Sequence, residues 1–87
     1  MTPWALVPTA RVDKDARGLP ADARRRIADA LERWAETERG DLRAVQNLGD
    51  ATHRLRVGDW RVLLRLDQET RTATVLRVLP RGGAYKP

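Results

Sequence analysis

The sequence predicts an α+β domain, a small antiparallel-dominated sheet of about four strands with an N-terminal helical hairpin packed on one face, in the order βααβββ. Three observations carry this expectation. Residues 53–65, from His53 to Arg65, alternate apolar and polar positions around Gly58-Asp59, where a two-residue hairpin turn fits. Ala23, Ile27, Ala30, Leu31 and Trp34 recur with the period of a helix buried along one stripe. Thr72 to Leu79 is rich in β-branched and aliphatic residues, as a strand requires. A length of 87 residues allows one core, so residues 1–87 are read as a single domain.

The elements follow in order. Trp4 to Val7 reads as a short strand ended by Pro8. Thr9 is a candidate N-cap for a helix over residues 10–17, which Gly18 closes. Pro20 suits the first turn of a second helix, where its missing N–H costs nothing. That helix is expected to reach about Arg39, with Gly40 as its stop, and to expose Arg25, Asp29, Arg33 and Glu36. Residues 41–51 read as an irregular connector anchored by Leu42, Val45 and Leu48. Gln68 to Arg71 forms a turn before the last strand, which is read as central and covered on both sides. Arg77 interrupts that strand, on a face that depends on the register. Pro80 ends it, and Arg81 to Tyr85 begin a terminal tail.

If Gly58-Asp59 is the turn, Val57 pairs with Trp60, Arg56 with Arg61, and Leu55 with Val62. Side chains alternate between faces along a strand, so Arg54, Arg56 and Arg61 share one side, together with Leu63 and Arg65. Leu55, Val57, Trp60, Val62 and Leu64 share the other and form the surface for the helical stripe. Directly opposed like charges destabilise a strand pair, and no acid of the hairpin faces these arginines. Leu63 is expected as the apolar floor of a groove among them. His53 falls on the helix-packed face, as do Trp34 and Trp60, whereas Trp4 is not assigned to a face.

Charge and composition narrow the function. Seventeen basic against twelve acidic residues leave a net charge of +5, which favours an anionic partner such as nucleic acid. There is no cysteine, so disulfides, thiolate metal sites and cysteine nucleophiles are excluded. The single histidine, His53, excludes a multi-histidine metal site, and no cofactor is expected. The first eight residues carry neither a basic leader nor a long apolar run, so the reading is cytoplasmic, without a membrane partner. An antiparallel last strand would bring Arg81 and Tyr85 beside Arg61. Guanidinium forks match phosphate oxygens, and a phenol ring can stack on a base.

The chain resembles the RelE toxins of the RelE/ParE superfamily of toxin–antitoxin systems. The resemblance spans almost the whole chain and is most specific in His53 to Val62 and in Val78 to Tyr85. It implies a ribosome-dependent mRNA endonuclease that cuts A-site codons without a metal. In that reaction the ribose 2′-hydroxyl attacks the adjacent phosphate. It further implies functional positions at Arg54, Arg56, Arg61, Arg81 and Tyr85, with Arg65 added to the RNA-binding set on its shared strand face. Family members with lysine at the two first-strand positions have a candidate base there, whereas a guanidinium stays protonated above about pH 12. Arg54 and Arg56 are therefore read as phosphate and transition-state ligands. Arg81 would protonate or neutralise the leaving oxygen, and Tyr85 would orient the nucleotide. The implied partners are a small acidic antitoxin, partly disordered until bound, the ribosomal A site with its mRNA, and operator DNA reached through the antitoxin. Two alternatives stay open: a ParE-like inhibitor of DNA gyrase, and a catalytically degenerate binding module that acts as co-repressor with its antitoxin.

Overall fold

In the computed structural model, which describes residues 2–80, seven elements follow one another: β1 (Ala5–Pro8), α1 (Ala10–Arg17), α2 (Ala21–Thr37), β2 (Asp41–Ala44), β3 (His53–Val57), β4 (Trp60–Asp67) and β5 (Thr72–Pro80). They form one five-stranded sheet in the order β1-β5-β4-β3-β2. β1 runs parallel to β5, and every other neighbour is antiparallel. The expected α+β class and helical hairpin are present, with one strand more than expected. That strand is β2, at the start of the segment read as an irregular connector. Its residues Asp41-Leu42-Arg43-Ala44 alternate polar and apolar, and pairing with β3 packs the half-buried Leu42 against the main core.

The helices cover one face of the sheet. Val12 of α1 and Ile27, Trp34 and Ala35 of α2 pack on Leu55, Val62, Leu64, Ala73, Val75 and Val78. Trp34 is 1% exposed and stacks on Trp4 with ring centroids 5.5 Å apart. Trp4 thereby joins the same core, and the Arg71 guanidinium lies 4.2 Å above its ring. An open groove of about 370 Å³ runs between the helices, lined by Leu6, Val12, Leu19, Ile27 and Leu31 among others. No helix among the described residues is long and apolar enough to cross a membrane.

Thr9 caps α1 as expected, accepting a hydrogen bond from the Val12 N–H at 3.2 Å. The same hydroxyl donates to the Val75 carbonyl at 2.9 Å, which ties the cap to β5. α2 stops at Thr37 rather than at Arg39. Glu38 takes a left-handed conformation (φ 59°) and donates its N–H to the Trp34 carbonyl. The chain must turn early because β2 starts at Asp41. Gly40 (φ +147°) passes so close to β3 that a Cβ there would lie 3.0 Å from Leu55 Cδ1. Gly40 therefore serves the entry into β2 rather than the end of the helix.

Arg77 finds its partner outside the sheet. β1 pairs with β5 only through Val75, and beyond that point the edge of β5 is met by α1. Asp15 of α1 accepts from Arg77 Nε at 2.7 Å, from Arg77 Nη2 at 3.2 Å and from the Val78 backbone N–H at 3.0 Å. One carboxylate thus satisfies an edge donor of the sheet and a bidentate guanidinium. Burial pushes the Asp15 carboxyl up, but the Arg77 and Val78 hydrogen bonds and the charges of Arg77 and Arg11 outweigh it and hold it below 3.8.

A depressed folded value contributes stability that is present above 3.8 and lost as pH falls through the lower folded value. Asp15→Asn should therefore cost about 1.5–3 kcal/mol at neutral pH, the range for hydrogen bonds to charged groups. Denaturant titrations should also show a shallower loss of stability in acid for the variant than for the wild type. Trp34→Ala should cost about 3–5 kcal/mol by opening a cavity under the sheet. A loss of that size consumes much of a small domain's stability, and thermal melts will show it directly.

Candidate active site

The hairpin of β3 and β4 has the expected register. Val57 pairs with Trp60, Arg56 with Arg61, Leu55 with Val62 and Arg54 with Leu63. Gly58 alone of the two turn residues takes a positive φ, +58°, the pattern of a II′ turn. Arg54, Arg56 and Arg61 consequently lie on the face away from the helices, and Leu55, Val62 and Leu64 lie in the core. His53 is half-buried on the helix side, with its Nδ1 2.8 Å from the Thr52 hydroxyl.

β2 adds residues that the hairpin alone does not reveal. Asp41 pairs with Arg56, and Arg43 pairs with Arg54, so both lie on the arginine face. Rows therefore cross the sheet, one running Asp41, Arg56, Arg61, Leu79 and the next Arg43, Arg54, Leu63, Arg77. No acid of the hairpin faces the arginines, as expected, and the acid on this face, Asp41, comes from β2. Arg54 Nη1 lies 3.5 Å from Asp41 Oδ1 and donates to the Asp41 carbonyl at 3.1 Å, and its side chain is only 17% exposed. The sequence signal for this was the period-two alternation of residues 41–44, too short to separate from an irregular connector.

Arg56 and Arg61 are placed differently. Arg56 Nε donates to the Gly58 carbonyl at 3.5 Å, and Arg61 Nη1 to the Trp60 carbonyl at 3.3 Å. Among the described residues neither meets a carboxylate within 4.0 Å. Arg65, by contrast, lies beyond Leu63 on the same strand and faces Asp50 at 3.6 Å. Leu63 is not an open floor. It is 6% exposed, covered by Ala51 and Leu79 together with Val45 and Leu48 of the connector. The connector is thus anchored as expected by Val45 and Leu48, and it sets Arg65 apart from the other three arginines.

A bulge between Leu63 and Leu64 shifts the pairing of β4 with β5, so that Leu63 pairs with Arg77 and Leu64 with Val75. The extra residue, Leu76, packs with the cluster around Leu63. Pro80 pairs with Trp60, so the last described residue of β5 lies beside the Gly58-Asp59 turn, near Arg61. Arg81 and Tyr85 lie outside the described residues. The arginines lie on the sheet face opposite the helices, and the groove between the helices is on the other side.

No protein-family model and no curated protein matches the chain. Solved structures do. RelBE2, a toxin–antitoxin complex from Mycobacterium tuberculosis, contains a chain similar to this one at a TM-score of 0.78 and 25% identity, over 93% of this chain and 94% of that chain. The archaeal RelE–RelB complex from Pyrococcus horikoshii gives a TM-score of 0.76 and 26% identity, over 97% of this chain and 100% of the other. The isolated RelE toxin of E. coli shares the fold at a TM-score of 0.67 and 19% identity, covering 91% and 85%. The chain therefore has the α+β fold common to these bacterial and archaeal toxins. In fold and over nearly its whole length it resembles the RelE-type toxins, as the motifs around the hairpin led us to expect.

The Arg56–Arg61 pair generates a stability prediction. Arg61→Ala removes a like-charge opposition worth a few tenths of a kcal/mol. The variant should melt at or slightly above the wild-type temperature in differential scanning calorimetry. A fall in melting temperature of several degrees would show that Arg61 serves the fold.

Proposed function

We propose that this chain is the cytoplasmic toxin of a type II toxin–antitoxin pair and acts as a ribosome-dependent mRNA endonuclease. One observation carries the reading. Arg56 and Arg61 stand directly opposite each other on the sheet face away from the helices, without a carboxylate partner among the described residues, and Arg54 lies in the next row. Concentrated positive charge that costs the fold stability is explained by an anionic ligand that repays it on binding.

The chemistry follows from the residue types. A ribose 2′-oxygen attacks the adjacent phosphorus, the bond to the 5′-oxygen breaks, and the products are a 2′,3′-cyclic phosphate and a 5′-hydroxyl. Negative charge accumulates on the phosphoryl oxygens in the transition state. Preorganised guanidinium donors at Arg56 and Arg61 stabilise it, with Arg54 holding the neighbouring phosphate. In the reading taken from the family resemblance, Arg81 neutralises the leaving oxygen and Tyr85 stacks on the nucleotide. Arginines at these positions do not accept the 2′-hydroxyl proton. A chain with so little acid–base equipment fits a reaction in which the ribosome bends and presents the mRNA. The basic face also fits a small acidic antitoxin that orders on binding, and operator DNA is reached through that antitoxin. The M. tuberculosis and P. horikoshii structures are themselves toxin–antitoxin complexes.

Purified protein should leave naked RNA intact and cut mRNA on a programmed ribosome, with the products mapped by primer extension. Arg61→Ala should slow single-turnover cleavage about a hundred- to a thousandfold, the usual loss for one preorganised donor. Efficient cutting of naked RNA would remove the ribosome requirement. Inhibition of DNA supercoiling with intact mRNA would replace the nuclease by a gyrase inhibitor.

A further inference from the structure

We infer that Asp41 is the proton acceptor for the attacking 2′-hydroxyl. The inference rests on the nuclease reading above, and it supplies the group that the arginines do not. Asp41 stands at the β2 end of the row Asp41, Arg56, Arg61, on the same sheet face as both arginines. Neighbouring strands are about 4.8 Å apart, so a phosphate held between Arg56 and Arg61 has the carboxylate within roughly one nucleotide's width. The Asp41 side chain is 44% exposed and open to a substrate.

Its orientation is held from two sides. Arg54 Nη1 approaches Oδ1 at 3.5 Å, and Arg43 Nε approaches the same oxygen at 3.7 Å. Both guanidinium groups make their nearest approach to Oδ1, so Oδ2 is the oxygen turned away from them. Other candidates are placed less well. His53 lies on the helix side of the sheet, and Asp50 lies beside Arg65, which the connector sets apart from Arg56 and Arg61. Asp59 occupies the hairpin turn rather than a strand position facing the arginines.

In the step itself the 2′-hydroxyl proton passes to an Asp41 carboxylate oxygen as the O2′–P bond forms. The P–O5′ bond breaks, and the departing 5′-oxygen takes a proton from water. Asp41 then returns its proton to solvent, so the reaction is a balanced transesterification. This assignment gives Arg54 a second duty, since it aims the base as well as binding phosphate.

The test is single-turnover cleavage on programmed ribosomes by wild type, Asp41→Asn and Asp41→Glu, with ribosome binding and thermal melts measured in parallel. Asp41→Asn keeps the shape of the side chain and should slow cleavage about a hundredfold or more, the contribution of a positioned general base. It should bind ribosomes as wild type does, and its residual rate should rise about tenfold per pH unit as hydroxide takes over the proton. Asp41→Glu should retain a substantial part of the activity. Equal cleavage by Asp41→Asn and wild type overturns the assignment, and so does a defect confined to ribosome binding, which would make Asp41 only an anchor for Arg54. Failure of the wild type to cleave at all overturns the nuclease reading and this assignment with it. The melts separate either result from misfolding, and the rate of Asp41→Glu decides the matter if Asp41→Asn does not fold.

Discussion

Two residues, Gly58 and Asp59, decide which side of the sheet every residue of β3 and β4 faces. The side-chain period of a strand is two, so a turn longer or shorter by one residue would flip β4 relative to β3, carrying Val62 and Leu64 out of the core and Arg61 and Arg65 into it. Burying several guanidinium groups without partners is prohibitively unfavourable, which makes the register self-enforcing. The positive φ of Gly58 lets the chain turn tightly enough to hold this pairing. The helical core and the arginine face are two outcomes of the same constraint.

The rest of the structure protects that arrangement from both sides. On the helix side, α2 places Trp34 and Ile27 against the centre of the sheet, and Trp4 closes the end of the core by stacking on Trp34. On the other side, Leu63 and Leu79 would be exposed if the connector did not fold over them with Val45, Leu48 and Ala51. This second cluster confines the arginines to the part of the face near the turn. The bulge at Leu63 and Leu64 lets one strand serve both layers: Val75 and Val78 face the helices, and Leu76 and Leu79 supply the smaller cluster. At the open edge of β5, Asp15 replaces the missing neighbour strand by taking the Val78 N–H, and Arg77 keeps that carboxylate in place.

Much of this was legible in the residues. The hairpin register, the cap at Thr9, the helix over residues 10–17 and the helical stripe ending at Trp34 all follow from local rules of period and capping. Non-local partners could not be read in that way. Asp41 meets Arg54 only because four residues pair as an edge strand, and so short a segment gives no distinct periodicity. Arg77 looked like an interruption because its partner, Asp15, is 62 positions away on a helix. The end of α2 was misplaced because Gly40 serves a close approach to Leu55, a tertiary demand that looks the same in sequence as a helix stop. Leu63 looked like an open floor because nothing local reveals that the connector folds across it. Arg54, Arg56 and Arg61 lie together as expected, and Arg65 is set apart by that same connector.

The outer edge of β2 has a meaning for the isolated protein that is separate from chemistry. Among the described residues no strand pairs with it, so its backbone donors and acceptors are open to another chain. Exposed edges of this kind invite sheet-to-sheet stacking and, in the end, aggregation. This edge is only four residues long, and its outward-facing positions are Asp41 and Arg43, which lie 3.7 Å apart. An incoming strand would have to strip water from that ion pair while gaining only a few backbone hydrogen bonds. The charges that shape the arginine face thus also discourage one copy of the sheet from extending into the next.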